Sequence, residues 1–251
     1  MQGTAERVYH AACGVLGWVL RSARYADVEA VRRHGAPLVR KRRRPHAPPL
    51  IALGNALLRA LDAGVRVLPR RGWEARERAL WARLHGAEIR VDADGTLVLP
   101  RLPGETLARL LEDPALDAAV RGRAVGLAVA ALAAMHRAGV THGDAMAANV
   151  LVDLDAGTAR WFDFETEHDA ARAPAWRRAD DLRALLATCA VRTPTARRDA
   201  LVALVLDGYG DAEVARALAG RLAPARRRSL AFHLGQAPMP LAHARALAAA
   251  V

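Results

Sequence analysis

The chain has 251 residues, of which 53% are hydrophobic and 4% aromatic, so it can bury a sizeable core rich in Ala, Leu and Val. Its formal net charge is +11, and its two cysteines give no disulfide framework, which favours a reducing compartment. No apolar run approaches the roughly 20 residues of a membrane span, and the N-terminus lacks a signal-peptide pattern, so we expect a cytoplasmic protein.

The first predicted elements are a helix and a β-hairpin. Residues 1–24 place apolar side chains at helical spacing, and no Gly-x-Gly-x-x-Gly motif occurs there or elsewhere in the chain. Two strands, 27–32 and 37–43, flank the dipeptide His34-Gly35, which favours a tight turn.

Lys41, in the second of these strands, is the only lysine among the 37 Lys and Arg residues. An ammonium group kept in a chain that otherwise uses Arg suggests a site built for a point charge on phosphate, because a guanidinium fork does not replace it there. Alternation along the strand places Val39 on the same face, where it could cover an adenine ring. The alternative interpretation is an ordinary exposed lysine in a basic run.

Residues 45–69 form an insert. Three prolines near its start predict a turn, and the apolar stretch from Leu50 to Leu61 then predicts a short amphipathic helix. Such a helix either packs on the neighbouring strands, which is the commoner case, or lies on a membrane surface.

A helix is predicted from Gly72 to Leu84, with an apolar stripe that begins at Trp73. Glu77 falls on this stripe, and a carboxylate on an apolar face needs a partner. Glu74 is the second candidate for a buried pair, although arginines four residues to either side could hold it at the surface.

The next segments predict a second hairpin and then helices. Strands over 89–91 and 96–99 are joined by a turn at 92–95, and residues 100–104 lead out of this hairpin. The segment 121–135 is apolar nearly all round, so it predicts a buried helix.

The stretch from Met135 to Glu165 carries the most specific pattern. A loop with the sequence His-Gly-Asp ends at Asp144, Asn149 follows five residues later, and a hairpin then delivers Asp163. Phosphoryl transfer to a hydroxyl needs one carboxylate that orients the hydroxyl and accepts its proton, and Mg²⁺ needs one or two hard oxygen ligands from the protein. Asp144 suits the first role, and Asn149 and Asp163 suit the second.

A further helix is predicted to begin in residues 179–186, and the Ala/Leu/Arg pattern from Pro194 to Val251 is helical too but carries no recognisable chemistry. Asp180 and Asp181 stand at the predicted start of the first of these helices, where a carboxylate can cap backbone N–H groups. Asp180 is the better candidate for a simple cap.

The sequence His142-Gly143-Asp144, with Asn149 after it and Asp-Phe-Glu ending at Glu165, resembles the catalytic and metal loops of the protein-kinase-like superfamily. Gly143 stands where most protein kinases have Arg, and Glu165 stands where they have Gly. Both departures resemble the small-molecule branch, which includes aminoglycoside and choline phosphotransferases and the lipopolysaccharide Kdo/heptose kinases.

This resemblance implies a two-lobed α+β fold of the protein-kinase-like type. The N-lobe would span 1–102 and contain the insert 45–69, the C-lobe would span 103–251, and residues 100–104 would form the hinge that holds an adenine edge. ATP and Mg²⁺ are the implied cofactors. The implied site consists of Asp144 as the catalytic residue, Lys41, Glu77 and Val39 for ATP binding, Asn149 and Asp163 for the metal, and His142 and Asp181 as supports of the catalytic loop.

The expected function is therefore ATP- and Mg²⁺-dependent phosphoryl transfer to a hydroxyl, with a sugar or lipopolysaccharide-type small molecule as the first choice of acceptor. A protein Ser/Thr kinase is the second choice, and the missing Gly-rich motif leaves open a non-catalytic kinase-like binding module.

The positive charge suits an anionic acceptor and leaves open a peripheral contact with the inner face of an anionic membrane. Only residues 40–44 and 226–228 form dense basic runs, and no aromatic residues interleave with them as single-stranded nucleic acid would require. Nucleic acid is therefore not an expected partner.

Overall fold

The computed structural model describes residues 25–60 and 62–222. The helix predicted over residues 1–24 and the basic run 226–228 lie outside the described residues. The strands are β1 (Ala26–Arg33), β2 (Ala36–Arg43), β3 (Val65–Val67), β4 (Arg90–Val91), β5 (Leu97–Pro100), β6 (Glu105–Thr106), β7 (Val150–Asp153), β8 (Thr158–Trp161) and β9 (Thr166–His168). The helices are α1 (Ala47–Ala60), α2 (Arg70–His85), α3 (Leu107–Glu112), α4 (Ala118–Arg137), α5 (Pro174–Ala190), α6 (Arg198–Tyr209) and α7 (Ala212–Leu222), with short 3₁₀ helices at Ala147–Asn149 and Thr195–Arg197.

The architecture is α+β and kinase-like, as predicted. A four-stranded antiparallel sheet in the order β1-β2-β5-β4 forms the N-terminal part, and most helices follow it in the chain. The β1–β2 turn has positive φ at both His34 (50°) and Gly35 (80°), the geometry that matches the twist of a tight hairpin. The register sets Lys41 opposite Val28 on one side and Leu97 on the other, so β2 lies inside the sheet.

Helix α1 differs from its prediction at the N-terminal end. The predicted proline turn is confined to Pro45 and His46, and the helix begins at Ala47 with Pro48 and Pro49 in its first turn, where a missing N–H costs nothing. Ala47, Ile51 and Gly54 are buried, which shows that the insert packs against the rest of the protein.

Helix α4 is the central helix of the C-terminal part. The Asp117 carboxylate accepts a hydrogen bond from the Val120 N–H and caps its first turn. Val129 and Leu132 are fully buried in the core between α6 and the β7–β8 hairpin. Among the described residues, α4 is the one helix that is long and apolar enough to cross a membrane, which corrects the expectation that no segment would reach this length. Eight of its residues are buried within the protein.

A small three-stranded sheet, β6-β7-β8, carries the predicted catalytic hairpin. Gly104 enters this sheet at φ 101°, and a Cβ there would lie 2.6 Å from the Val152 carbonyl oxygen, so the crossing requires glycine. The hairpin turns at Gly157 and returns through β8, which leads directly to Asp163.

The third sheet is one that the sequence did not predict. Strand β3 of the insert pairs antiparallel with β9, the strand that follows Glu165. The insert therefore reaches from the N-terminal sheet to the segment that follows the predicted metal loop.

Candidate active site

Lys41 is the charged group on which the N-terminal side of the site is built. It is 7% exposed, its Nζ lies 3.2 Å from the Glu77 Oε1, and it also forms an ion pair with Asp163. Burial alone would lower the pKa of Lys41, but the carboxylates of Asp163 and Glu77 outweigh it and raise that pKa above its ordinary value. Lys41 is therefore held as a cation between the two parts of the chain.

The buried carboxylate of Glu77 accepts hydrogen bonds from N–H donors on both of its oxygens. Its Oε1 accepts hydrogen bonds from the Trp73 Nε1 and the Phe164 backbone N–H, both at 3.2 Å, and its Oε2 accepts one from the Trp81 Nε1 at 3.0 Å. The two tryptophans stand four residues before and after Glu77 on α2, so helical spacing brings their indoles to the carboxylate. These three hydrogen bonds therefore hold the Glu77 carboxylate in place independently of Lys41.

The alternative candidate, Glu74, lies elsewhere. Its Oε1 accepts a 2.7 Å hydrogen bond from the Nε of the exposed Arg70, a surface pair of the kind the sequence allowed. Val39 is half-buried in β2, opposite Ala30 and Leu99, on the same face of the sheet as Lys41.

Asp181 holds the backbone of the catalytic loop. Its Oδ2 accepts a hydrogen bond from the His142 N–H at 2.7 Å, and its Oδ1 accepts one from the Gly143 N–H at 2.8 Å. The His136 Nε2 lies 3.0 Å from Oδ2 as a third partner. Burial would raise the pKa of Asp181, but the interactions with His168 and His136 prevail and keep it below its usual value.

Asp180 does not cap a helix, so that prediction is wrong. Helix α5 begins at Pro174, which places Asp180 in its second turn. The buried carboxylate forms ion pairs with Arg183 and Arg221, and the His168 Nε2 lies 3.2 Å from its Oδ2. Asp180 therefore ties α5 to α7 and to β9.

His142 is a structural residue of the loop rather than a base. It is fully buried, and burial lowers its pKa. Its Nδ1 accepts the Asp144 N–H at 3.3 Å, so the neutral ring carries its proton on Nε2 and donates it to the Phe162 carbonyl at 2.9 Å.

Asp144 is held in place by Asn149. The Asn149 Nδ2 donates to the backbone carbonyl of Asp144 at 2.9 Å and to its Oδ2 at 3.1 Å. Burial, together with the negative charges of Asp163 and Glu165, raises the pKa of Asp144 to about 7, although the Asn149 hydrogen bond opposes this. A carboxyl group with such a pKa can exchange a proton near neutral pH.

Asp163 occupies a backbone conformation that aspartate rarely adopts, with φ of 69°. The preceding residue is fixed, because the Phe162 N–H donates to the Asn149 carbonyl at 3.0 Å. The unusual φ turns the chain between β8 and Phe164 and directs the carboxylate to Lys41, which is the kind of local strain that functional sites retain.

Sequence reasoning missed one further pair at the site. The Arg43 guanidinium lies 2.9 Å from the Glu165 Oε2, parallel to the ion pair of Lys41 with Asp163. Burial, and then the charge of Asp163, raises the pKa of Glu165 to about 7. The signal was present in the sequence, because Arg43 stands two residues after Lys41 and so projects from the same face of β2.

The donor set fits Mg²⁺ in kind. Among the described residues there is no group of three or more His, Cys, Asp and Glu side chains that could hold a metal. The Asp163 carboxylate and the Asn149 amide oxygen would supply two hard ligands, and the Asn149 Nδ2 donates to Asp144. One or two protein ligands are what Mg²⁺ usually takes when phosphates and water provide the rest.

A buried Lys–Glu pair beside a small antiparallel sheet, joined to a helical part that presents Asp144 and Asp163 on loops, defines the protein-kinase-like class. Residues 102–209 match the family model described as the lipopolysaccharide kinase (Kdo/WaaP) family, which confirms the resemblance to the small-molecule branch. The matched segment contains Asp144, Asn149 and Asp163 but not Lys41. No curated protein matches the chain significantly.

We expect Glu77→Gln to destabilise the protein far more than Glu74→Gln. The first change places an amide among buried donors and removes the negative charge that pairs with Lys41. We expect it to lower the free energy of unfolding by about 3 kcal/mol, or Tm by roughly 6–12 °C. The second removes a surface pair worth under about 1 kcal/mol. Thermal unfolding of both variants measures the difference, and equal shifts would show that the buried carboxylate is not a structural centre.

Proposed function

We propose that the protein transfers a phosphoryl group from ATP to a hydroxyl group of a sugar or lipopolysaccharide-type acceptor. The observation that carries this proposal is the buried contact of Lys41 with both Glu77 and Asp163, next to an Asp144 whose pKa is about 7. The match of residues 102–209 to a lipopolysaccharide kinase family supports both the reaction class and the type of acceptor.

The residues divide the work between binding and proton transfer. Lys41, held by Glu77, binds the ATP phosphates as a point charge, and Val39 lies on the same face of the sheet to cover the adenine. Asn149 and Asp163 would hold Mg²⁺, which when bound neutralises the phosphate charge and orients the phosphates. Positioning and charge neutralisation are the main sources of rate in this reaction class.

Asp144 orients the acceptor hydroxyl and accepts its proton. Its Oδ2 accepts the hydrogen bond from Asn149, which leaves Oδ1 for the hydroxyl. A pKa of about 7 suits a base that must be ionised to act and must then take a proton. The neighbouring Asp163 and Glu165 charges raise this pKa and so strengthen the base.

The net charge and the insert support the acceptor and the location that we propose. A formal charge of +11 favours an anionic acceptor, and a lipopolysaccharide-type molecule carries such charge. Leu53 on α1 is 64% exposed, and Arg59 lies in the last turn of that helix. We include in the proposal a cytoplasmic location with peripheral contact to an anionic membrane surface.

The direct test is ATP turnover with Mg²⁺ against a panel of sugars, lipopolysaccharide precursors and proteins. We expect turnover with a sugar-type hydroxyl and a raised Tm with ATP and Mg²⁺, because a ligand of the folded state stabilises it.

Lys41→Arg should lose activity although the charge is kept, whereas Arg42→Lys, on the exposed face of the same strand, should not.

Other outcomes of this test separate the alternatives. Turnover only with proteins would indicate a protein kinase. Neither turnover nor a thermal shift at millimolar ATP would indicate a non-catalytic module. Wild-type turnover by Lys41→Arg would remove Lys41 from the nucleotide site.

The pH dependence provides an independent prediction. Because only ionised Asp144 can accept the proton, kcat should rise with pH through a midpoint of about 7 and level off above it. Glu165→Gln removes a negative neighbour that raises this pKa, so its midpoint should lie at lower pH. A pH–rate profile of both proteins measures this, and a rate that is flat or falls from pH 6 to 8 would contradict the role of Asp144.

A further inference from the structure

The insert is paired along the whole segment that follows Asp163 and Phe164. Val65, Arg66 and Val67 lie opposite His168, Glu167 and Thr166, respectively, in the β3–β9 ladder. The ladder continues at both ends, because the Leu68 N–H donates to the Glu165 carbonyl at 2.8 Å and the Asp169 N–H donates to the Gly64 carbonyl at 2.9 Å. Backbone pairing with the insert thus extends from Glu165 to Asp169.

The outer edge of β3 is completed by one side chain, Asn55 of α1. Its Nδ2 donates to the Val67 carbonyl and its Oδ1 accepts from the Val67 N–H, both at 2.8 Å. An amide is the side chain that supplies a donor and an acceptor in this paired geometry. Asn55 therefore takes the place of a neighbouring strand and fixes β3 to the helix.

The C-terminal part of the insert is anchored as well. Gly64 lies against the indole ring of Trp176 and has a backbone φ of 70°. A Cβ at this position would lie 2.4 Å from the ring. Asp62 forms an ion pair with Arg172, and Arg66 forms one with Glu167 across the ladder. These contacts join the insert to α5, to the loop before α5 and to β9.

The opposite side of the same segment lies against the catalytic loop. The His168 Nδ1 is 3.0 Å from the Thr141 Oγ1, and the Thr166 Oγ1 donates to the His142 carbonyl at 3.5 Å. A Cβ at Gly143 would lie 2.9 Å from the Thr166 Oγ1 and 3.1 Å from the Glu167 nitrogen. The loop that carries Asp144 is therefore in direct contact with the segment that the insert holds.

We propose that residues 45–69 act as a brace that fixes the segment 163–169 in its catalytic arrangement without phosphorylation, and that Asn55 is the positioning residue of this brace. In protein kinases, the activation loop that follows the metal-binding Asp is ordered by a phosphate paired with arginines. Here the strand pairing and the Asn55 amide supply that order. The catalytic part of this inference rests on the proposed phosphoryl transfer, whereas the structural part does not.

The test is hydrogen exchange of the full-length protein, read on peptides that cover residues 164–169, with kcat measured alongside. Asn55→Leu keeps the approximate volume but removes both hydrogen bonds, so we expect faster exchange in this segment and kcat lowered about 10- to 100-fold by the displaced loop. Asn55→Asp, which keeps the acceptor for the Val67 N–H but loses the donor to the Val67 carbonyl, should change the exchange rate in the same direction. Ala56→Ser, on the exposed side of α1, should match wild type.

Two results would overturn the proposal. Exchange in residues 164–169 that stays at the wild-type rate in both Asn55 variants would show that Asn55 holds only its own helix and strand. Loss of turnover after the wild-type protein is treated with a nonspecific phosphatase would show that a phosphate orders the segment; we expect no change. If the wild-type protein transfers no phosphoryl group to any acceptor, the proposed function fails, and hydrogen exchange alone still decides whether the brace exists.

Discussion

The site depends on the ion pairs of the buried Lys41 ammonium with Glu77 and Asp163. A charge in such a position is stable only if it is paired, and removal of one partner from a buried pair costs about 3–5 kcal/mol. Lys41 meets this requirement with Glu77 from α2 and Asp163 from the loop after β8, so one side chain joins the sheet, the helix and this loop. The Arg43–Glu165 pair repeats this connection two residues further along β2.

The catalytic loop depends on a second buried charge, that of Asp181. Its two oxygens accept the backbone N–H groups of His142 and Gly143, which sets the path of the loop before Asp144. Gly143 has φ of 88° and no room for a Cβ against Thr166, which gives a physical reason for glycine where most protein kinases have arginine. Asp144 is thus positioned by backbone contacts on one side and by Asn149 on the other.

The sequence predicted the parts of the structure that local pattern encodes. The β1–β2 hairpin and the buried helix α4 follow from periodicity and turn residues, with ends displaced by a few residues, and Glu77 was identified as a buried partner because it falls on an apolar stripe. The pairing of β3 with β9 was not predictable, because it joins short strands about 100 residues apart that carry no periodic signal. Asp180 was misread because α5 begins earlier than its apolar pattern, and because one of its two arginine partners, Arg221, is distant in sequence.

If Asp144 performs the proton transfer while other residues bind the nucleotide, Asp144→Asn should separate kcat from ATP affinity. Asparagine keeps the size and one acceptor oxygen but cannot take a proton. We therefore expect kcat to fall roughly 10²–10⁴-fold while ATP affinity is preserved, and we expect Asp155→Asn, in the exposed turn between β7 and β8, to match wild type. An unchanged kcat with weakened ATP binding would instead make Asp144 a nucleotide ligand and would contradict its role in proton transfer.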